Sequence, residues 1–181
     1  MPCIRQPRHH ELEALRAIER DAGRLFTSVG MPEIAGDDPL SVTALEIARA
    51  EGRLWVAVDE RDRPIAYLVS SVVDGCAHIE QVSVGSAHAG RRLGAALIEH
   101  LARIAMAEAR PAQTLTTFRD VPWNAPYYER LGFVVFEPTD HGPEMVALVS
   151  RELAAIPSDA ARVAMRRRLT GSRLLAGQIS D

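Results

Sequence analysis

The stretch best equipped for chemistry runs Val82-Ser83-Val84-Gly85-Ser86-Ala87-His88-Ala89-Gly90-Arg91-Arg92-Leu93-Gly94. A β-branched run gives way to a glycine-bearing turn, and the turn opens onto an apolar helical pattern. The first turn of a helix leaves backbone N–H groups unpaired and carries the positive end of the helix dipole. Such a terminus takes phosphate groups. Arg91 and Arg92 add guanidinium groups suited to bidentate phosphate contacts. The alternative is an ordinary helix start with two solvated arginines. Gly85 and Gly90 also match the opening of a nucleotide-triphosphate loop. That loop continues with Lys and a hydroxyl residue, where this chain has Arg91 and Arg92, so no hydroxyl is placed to hold magnesium.

The elements that must position this turn follow from periodicity. Residues 3–5 read as a short strand. Residues 9–25 read as an amphipathic helix, with Leu12, Leu15, Ile18, Ala22 and Leu25 on one face. Glycine, proline and aspartate make 27–39 a loop. Ser41 is placed to cap a helix that runs to about Glu51. Strands are predicted over 54–58, 65–73 and 78–84, with Asp74-Gly75 as a two-residue hairpin turn. Strict alternation puts Glu80, Val82 and Val84 on one side of the third of these, and Ile79, Gln81 and Ser83 on the other.

A helix then runs to about Ala109 with Leu93, Leu97, Leu101 and Ile104 as its stripe. A strand over 114–118, a short helix over 125–131 closed by Gly132, and a strand over 133–136 follow. A helix is expected over 142–153 with Met145, Val146, Val149 and Leu153 on one face. The last strand covers 162–169, with Val163 and Met165 inward. The expectation is one α+β domain over residues 1–169, with a mixed, mostly antiparallel sheet flanked by helices, and a mobile tail over 170–181.

A second segment reads Trp123-Asn124-Ala125-Pro126-Tyr127-Tyr128-Glu129-Arg130-Leu131-Gly132-Phe133. It lies about thirty residues beyond the glycine turn, with one strand between. Together the two segments resemble the two sequence signatures of the GNAT superfamily of N-acetyltransferases. The first is Q/R-x-x-G-x-G/A at a helix start, and residues 89–94 occupy it. Ala89 stands where Gln or Arg is usual, and Arg92 where the first Gly is usual. The second is an Asn followed by a short helix ending Y-E-x-x-G-F. The element order from about Ile4 to Leu169 follows the family plan, with the helix over 142–153 as an addition.

The resemblance implies acetyl transfer from acetyl-CoA to an amine of a small molecule or peptide. It assigns the cofactor's phosphates to the turn formed by Ala89, Gly90, Arg91, Arg92, Leu93, Gly94 and Ala95. It assigns the pantetheine arm to the backbone of Val82, Ser83 and Val84, with Asn124 as a further hydrogen-bonding contact. Tyr128 matches the tyrosine that stands near the thiol, and a phenol with a pKa near 10 can protonate a departing thiolate. An attacking amine must first lose a proton. Glu80 and His78, two residues apart on one strand face, are the candidate bases. Arg92 is expected to have the negative φ of a first helical turn and to fold back onto phosphate in compensation for Ala89. A non-catalytic acyl-CoA-binding module is the alternative function.

Composition narrows the field further. The chain has 181 residues, 47% hydrophobic and 25% charged, with a net charge of −3. No basic footprint suits nucleic acid. The longest apolar runs are about five residues, far short of the roughly 18 a membrane span needs. Cys3 and Cys76 form no metal-ligand spacing and no disulfide framework. With no leader following Met1, a cytoplasmic location is expected. The acidic residues of the first helix and Glu33, Asp37 and Asp38 would suit a cationic acceptor. Pairing through a sheet edge into a homodimer is the expectation the resemblance adds.

Overall fold

The computed structural model describes residues 2–155 and 161–169; the tail expected over 170–181 lies outside them. Seven strands form one sheet: β1 (Cys3–Arg5), β2 (Leu54–Val58), β3 (Pro64–Val73), β4 (Cys76–Val84), β5 (Ala112–Phe118), β6 (Val134–Val135) and β7 (Arg162–Arg168). Their spatial order is β1-β2-β3-β4-β5-β7-β6. Every neighbouring pair is antiparallel except β4 with β5. A parallel pair needs a long crossover, and the helix Leu93–Ala107 supplies it.

In chain order the helices are α1 (Leu12–Gly23), α2 (Pro32–Ala35), α3 (Val42–Ala50), α4 (Leu93–Ala107), α5 (Ala125–Glu129) and α6 (Pro143–Ala155). The Ser41 hydroxyl accepts from Ala44 N and starts α3, as the sequence predicts. Asp74 and Gly75 both take positive φ in the β3–β4 hairpin. Leu93, Leu97 and Leu101 of α4 bury against Ala66, Leu68, Ile79 and Leu115 on one face of the sheet. On the opposite face, Leu12, Leu15 and Leu45 of α1 and α3 meet Leu54, Val56, Tyr67 and Val69. α6 covers the same side farther along, where Met145, Leu148 and Val149 pack on Val73, Phe136 and Ala164.

Three expectations are corrected. The first helix ends at Gly23 and continues as a 3-10 turn, Arg24–Val29, which turns Leu25 out to solvent. The stretch expected as a loop contains α2. In α6 the inward stripe is Met145, Leu148 and Val149, so Val146 and Leu153 are exposed. Helical spacing carries that stripe on to Glu152, whose carboxylate accepts from Thr116 Oγ1 at 2.8 Å and pairs with Arg162 at 3.1 Å. A carboxylate on a core-facing stripe is easily passed over when only apolar residues are counted.

Candidate active site

The site starts from a fault in the sheet. In the β3–β4 ladder Val69 faces Gln81 but Ser70 faces Ile79, so Glu80 is a surplus residue, a β-bulge. The bulge resets the alternation. Ile79 and Val82, three positions apart, both pack beneath α4. Ile79 therefore lies on the same side as Val82 and Val84, against the expectation of strict alternation. β4 also parts from β5 here: their pairing ends at Ile79 with Leu115. Beyond it, the edge of residues 80–84 that faces β5 has no strand beside it among the described residues. Backbone N–H and C=O groups inside a sheet require partners. The opening offers a ladder for an extended, amide-bearing arm along Val82, Ser83 and Val84.

The N-terminus of α4 stands at the open end. Gly90 takes a φ of +75° and Arg92, the N-cap, a φ of +59°. The expected negative φ at Arg92 is thus corrected: the residue sits in the left-handed region just before the helix. A glycine would take this conformation without strain. A side chain there costs about 1–2 kcal/mol. Arg91 and Arg92 are exposed, and Arg91 contacts His88 Nδ1 at 3.1 Å. Asp21 of α1 accepts from Ser86 N at 2.6 Å and ties the preceding turn down. Arg92→Gly is expected to raise stability by about 1 kcal/mol by relieving this conformation, measured as a higher Tm. A lower Tm would mean that the arginine's contacts outweigh the strain.

Leu93, Gly94 and Ala95 form the first turn. A Cβ on Gly94 would lie 3.2 Å from the Tyr127 hydroxyl and 3.7 Å from Val84 Cγ2, so glycine lets the helix start close against β4 and α5. The Tyr127 hydroxyl thus stands against the first turn of α4. Tyr127 was not singled out by the sequence signatures, yet its phenol rests on the same helix terminus as the glycine turn. Only the pairing of two adjacent tyrosines hinted at it.

Tyr128 points elsewhere, as the 100° step of a helix requires. Its ring stacks edge-on against Phe133 at 5.9 Å and Tyr127 at 5.5 Å, and it packs against the cluster beneath α4. Burial holds its hydroxyl well above the ordinary phenol range, so it stays protonated. Asn124 is the N-cap of α5. Its carbonyl accepts from Tyr127 N and Tyr128 N, while its side chain makes no capping bond.

The two candidate bases have unlike surroundings. Glu80 is exposed on the bulge. His78 is buried, and its Nδ1 lies 3.0 Å from Thr114 Oγ1. Burial, helped by the charge of Arg162, pushes its pKa down to about 4, so the imidazole is neutral. Past the opening, Arg162 is clamped over Phe118 at 4.9 Å and donates to Thr116 Oγ1 at 2.9 Å. Phe26, from the 3-10 turn after α1, packs edge-on to Phe118 at 5.5 Å and to Trp123 at 5.9 Å. This aromatic wall joins the α1 side of the molecule to the far end of β5.

A sheet that parts between parallel strands, with a glycine-turned helix start at the gap, offers a groove that ends on an anion-binding helix terminus. The model of the acetyltransferase (GNAT) family matches residues 13–133. The chain belongs to the GNAT family of acetyltransferases. A GNAT-family acetyltransferase of Staphylococcus aureus Mu50 superposes with a TM-score of 0.69 at 12% identity, covering 94% of this chain and 100% of that one. The PaiA N-acetyltransferase of Thermoplasma acidophilum, solved with coenzyme A, gives 0.67 at 14% identity, covering 93% and 99%. The ribosomal-protein-S18-alanine N-acetyltransferase of Escherichia coli gives 0.63 at 19% identity, covering 100% and 99%. At these identities the likeness speaks for the fold. No helix among the described residues is long and apolar enough to cross a membrane.

Proposed function

We propose that the protein moves the acetyl group of acetyl-CoA to a primary amine of a small molecule or peptide, by direct attack within a ternary complex. The observation that carries this reading is the parting of β4 from β5 beside the N-terminus of α4. Unpaired backbone groups along Val82, Ser83 and Val84 suit the amides of a pantetheine arm. The N–H groups of the turn from Ala89 to Ala95, with Arg91 and Arg92, suit its pyrophosphate.

The amine nitrogen bonds to the thioester carbonyl carbon and the C–S bond breaks. Glu80 takes the proton the amine loses. Tyr128, kept protonated by burial, gives its proton to the departing thiolate and regains one from solvent. Backbone N–H groups of the open β4 edge stabilise the oxyanion that forms between these events. The aromatic wall of Phe26, Phe118 and Trp123, with the exposed carboxylate of Glu80, favours an amine on an apolar or aromatic frame.

Isothermal titration is expected to show acetyl-CoA binding at least tenfold more tightly than acetyl-pantetheine, which lacks the pyrophosphate. Equal affinities would remove the phosphate assignment. Thiol release measured over an amine panel separates an enzyme from a module that only holds the acyl-CoA.

A further inference from the structure

A chain of buried polar groups crosses the apolar layer between α1 and the sheet. The proposed reaction uses none of it. Glu19 of α1 accepts from the Tyr67 hydroxyl, and the same oxygen accepts from Leu40 N at 3.2 Å. Tyr67 is fully buried, with its ring among Leu12, Leu15 and Leu45. Its cross-strand partner is Ser83, also buried. Gln81 Nε2 in turn donates to Ser83 Oγ at 2.8 Å.

A partly buried polar chain is costly where a phenylalanine and a leucine would pack as well. Its order of donors is informative. The Glu19 oxygen that receives two donors carries no proton, so it acts as an acceptor. Tyr67 has one proton and spends it on Glu19, and Ser83 lies beside it as its cross-strand neighbour. The Ser83 oxygen accepts from Gln81. Gln81 must therefore present its amide nitrogen inward, and its carbonyl oxygen Oε1 is turned the other way.

Gln81 is half-buried and lies two residues past the last pairing of β4 with β5. It faces the α1 side of the sheet, opposite the packing of Val82 beneath α4. We propose that Gln81 is a specificity-determining contact, its Oε1 accepting an N–H of the acceptor amine in the gap, and that Ser83, Tyr67 and Glu19 are positioning residues that aim it. This rests on the acetyltransfer reading above. A primary amine, after losing its extra proton, keeps two N–H groups and one lone pair. Holding one N–H at Gln81 leaves the lone pair directed at the thioester. A secondary amine has only one N–H to offer and binds with less freedom to orient.

The test compares Gln81→Ala, Tyr67→Phe, Ser83→Ala and the Gln81→Ala/Tyr67→Phe double variant. Turnover is followed by thiol release with the fastest of three probes: butylamine, alaninamide and tyramine. Gln81→Ala is expected to raise the acceptor KM about tenfold, with the acetyl-CoA KM unchanged. Tyr67→Phe and Ser83→Ala raise the same KM by less, and the double variant is no worse than Gln81→Ala alone. An unchanged acceptor KM in Gln81→Ala, additive losses in the double variant, or an equal rise in both KM values would overturn the proposal. A second measurement does not need turnover. The Gln81 side-chain NH2 signals of the ligand-free protein, read by NMR, should be shifted and ordered, and should move to free-glutamine positions in Tyr67→Phe. Free-glutamine signals in the unaltered protein overturn the aiming of Gln81. Inactivity of the unaltered protein on every amine would instead count against acetyltransfer itself.

Discussion

Tyr128→Phe should cut turnover about 100-fold while leaving the affinity for acetyl-CoA nearly unchanged. The ring sits edge-on to Phe133 and Tyr127 within a packed cluster. Phenylalanine keeps that packing and removes only the hydroxyl. Proton transfer to a leaving group by a placed side chain typically contributes about 10²–10⁴ in rate. An interaction made only as the thiolate departs appears in kcat and leaves binding alone. Burial raises the hydroxyl's pKa, so the group is in its protonated form across the neutral range. Equal rates for Tyr128→Phe and the unaltered protein, with the best available amine, would pass this role to water. Tyr127→Phe is the useful companion: its hydroxyl stands against Gly94 in the first turn of α4, so its loss should alter acetyl-CoA binding more than turnover.

Glu80→Gln should lower the rate at neutral pH by about 100-fold and leave acetyl-CoA binding intact. The amide preserves the size of the bulge residue and cannot accept a proton. The part of the pH–rate profile that this carboxylate contributes should vanish, leaving the amine's own titration. His78→Ala is the control that decides between the two bases. A buried imidazole with a pKa near 4, bonded to Thr114, is a weak proton acceptor. Its sign on stability is also fixed. Because the folded pKa lies below the ordinary histidine value, the unfolded chain binds the proton first. Stability is therefore lost as pH falls from about 6.5 toward 4. An unaltered pH–rate profile in Glu80→Gln, together with a collapse of rate in His78→Ala, would move the base to the histidine.

Much of the frame was legible because it rests on local rules. The run Leu54–Val58 is a strand with the expected bounds, and Asp74-Gly75 makes the turn that its tolerance of positive φ foretells. The stripe of Leu93, Leu97 and Leu101 is the buried face of α4. Other features are settled by partners far away in sequence. Nothing within residues 78–84 reveals that Glu80 is surplus, because a bulge is a mismatch with β3. Alternation therefore assigned Ile79 to the wrong side. The left-handed Arg92 was hidden for a related reason: a first helical turn implies negative φ, whereas the residue precedes the helix in a turn that takes positive φ. In α6 the apolar count favoured Val146 and Leu153, while the side chains that meet Phe136 and Ala164 are Met145, Leu148 and Val149. The chain from Glu19 to Gln81 joins three elements, and no single window of sequence contains it.

The bulge also bears on how this gene can vary. Substitutions in β4 test one side chain at a time, but the length of the strand sets the whole pattern. Without residue 80, Ile79 and Gln81 would be consecutive, and the two halves of the β3 pairing, Ser70 with Ile79 and Val69 with Gln81, would join into an unbroken ladder. The side chains beyond Ile79 would then alternate without a break. An in-frame loss of one codon would thus produce a more regular β3–β4 ladder and take away the carboxylate that stands on the bulge. Activity here is written in the count of residues as much as in their identity, and the most damaging small change would be one that improves the fold.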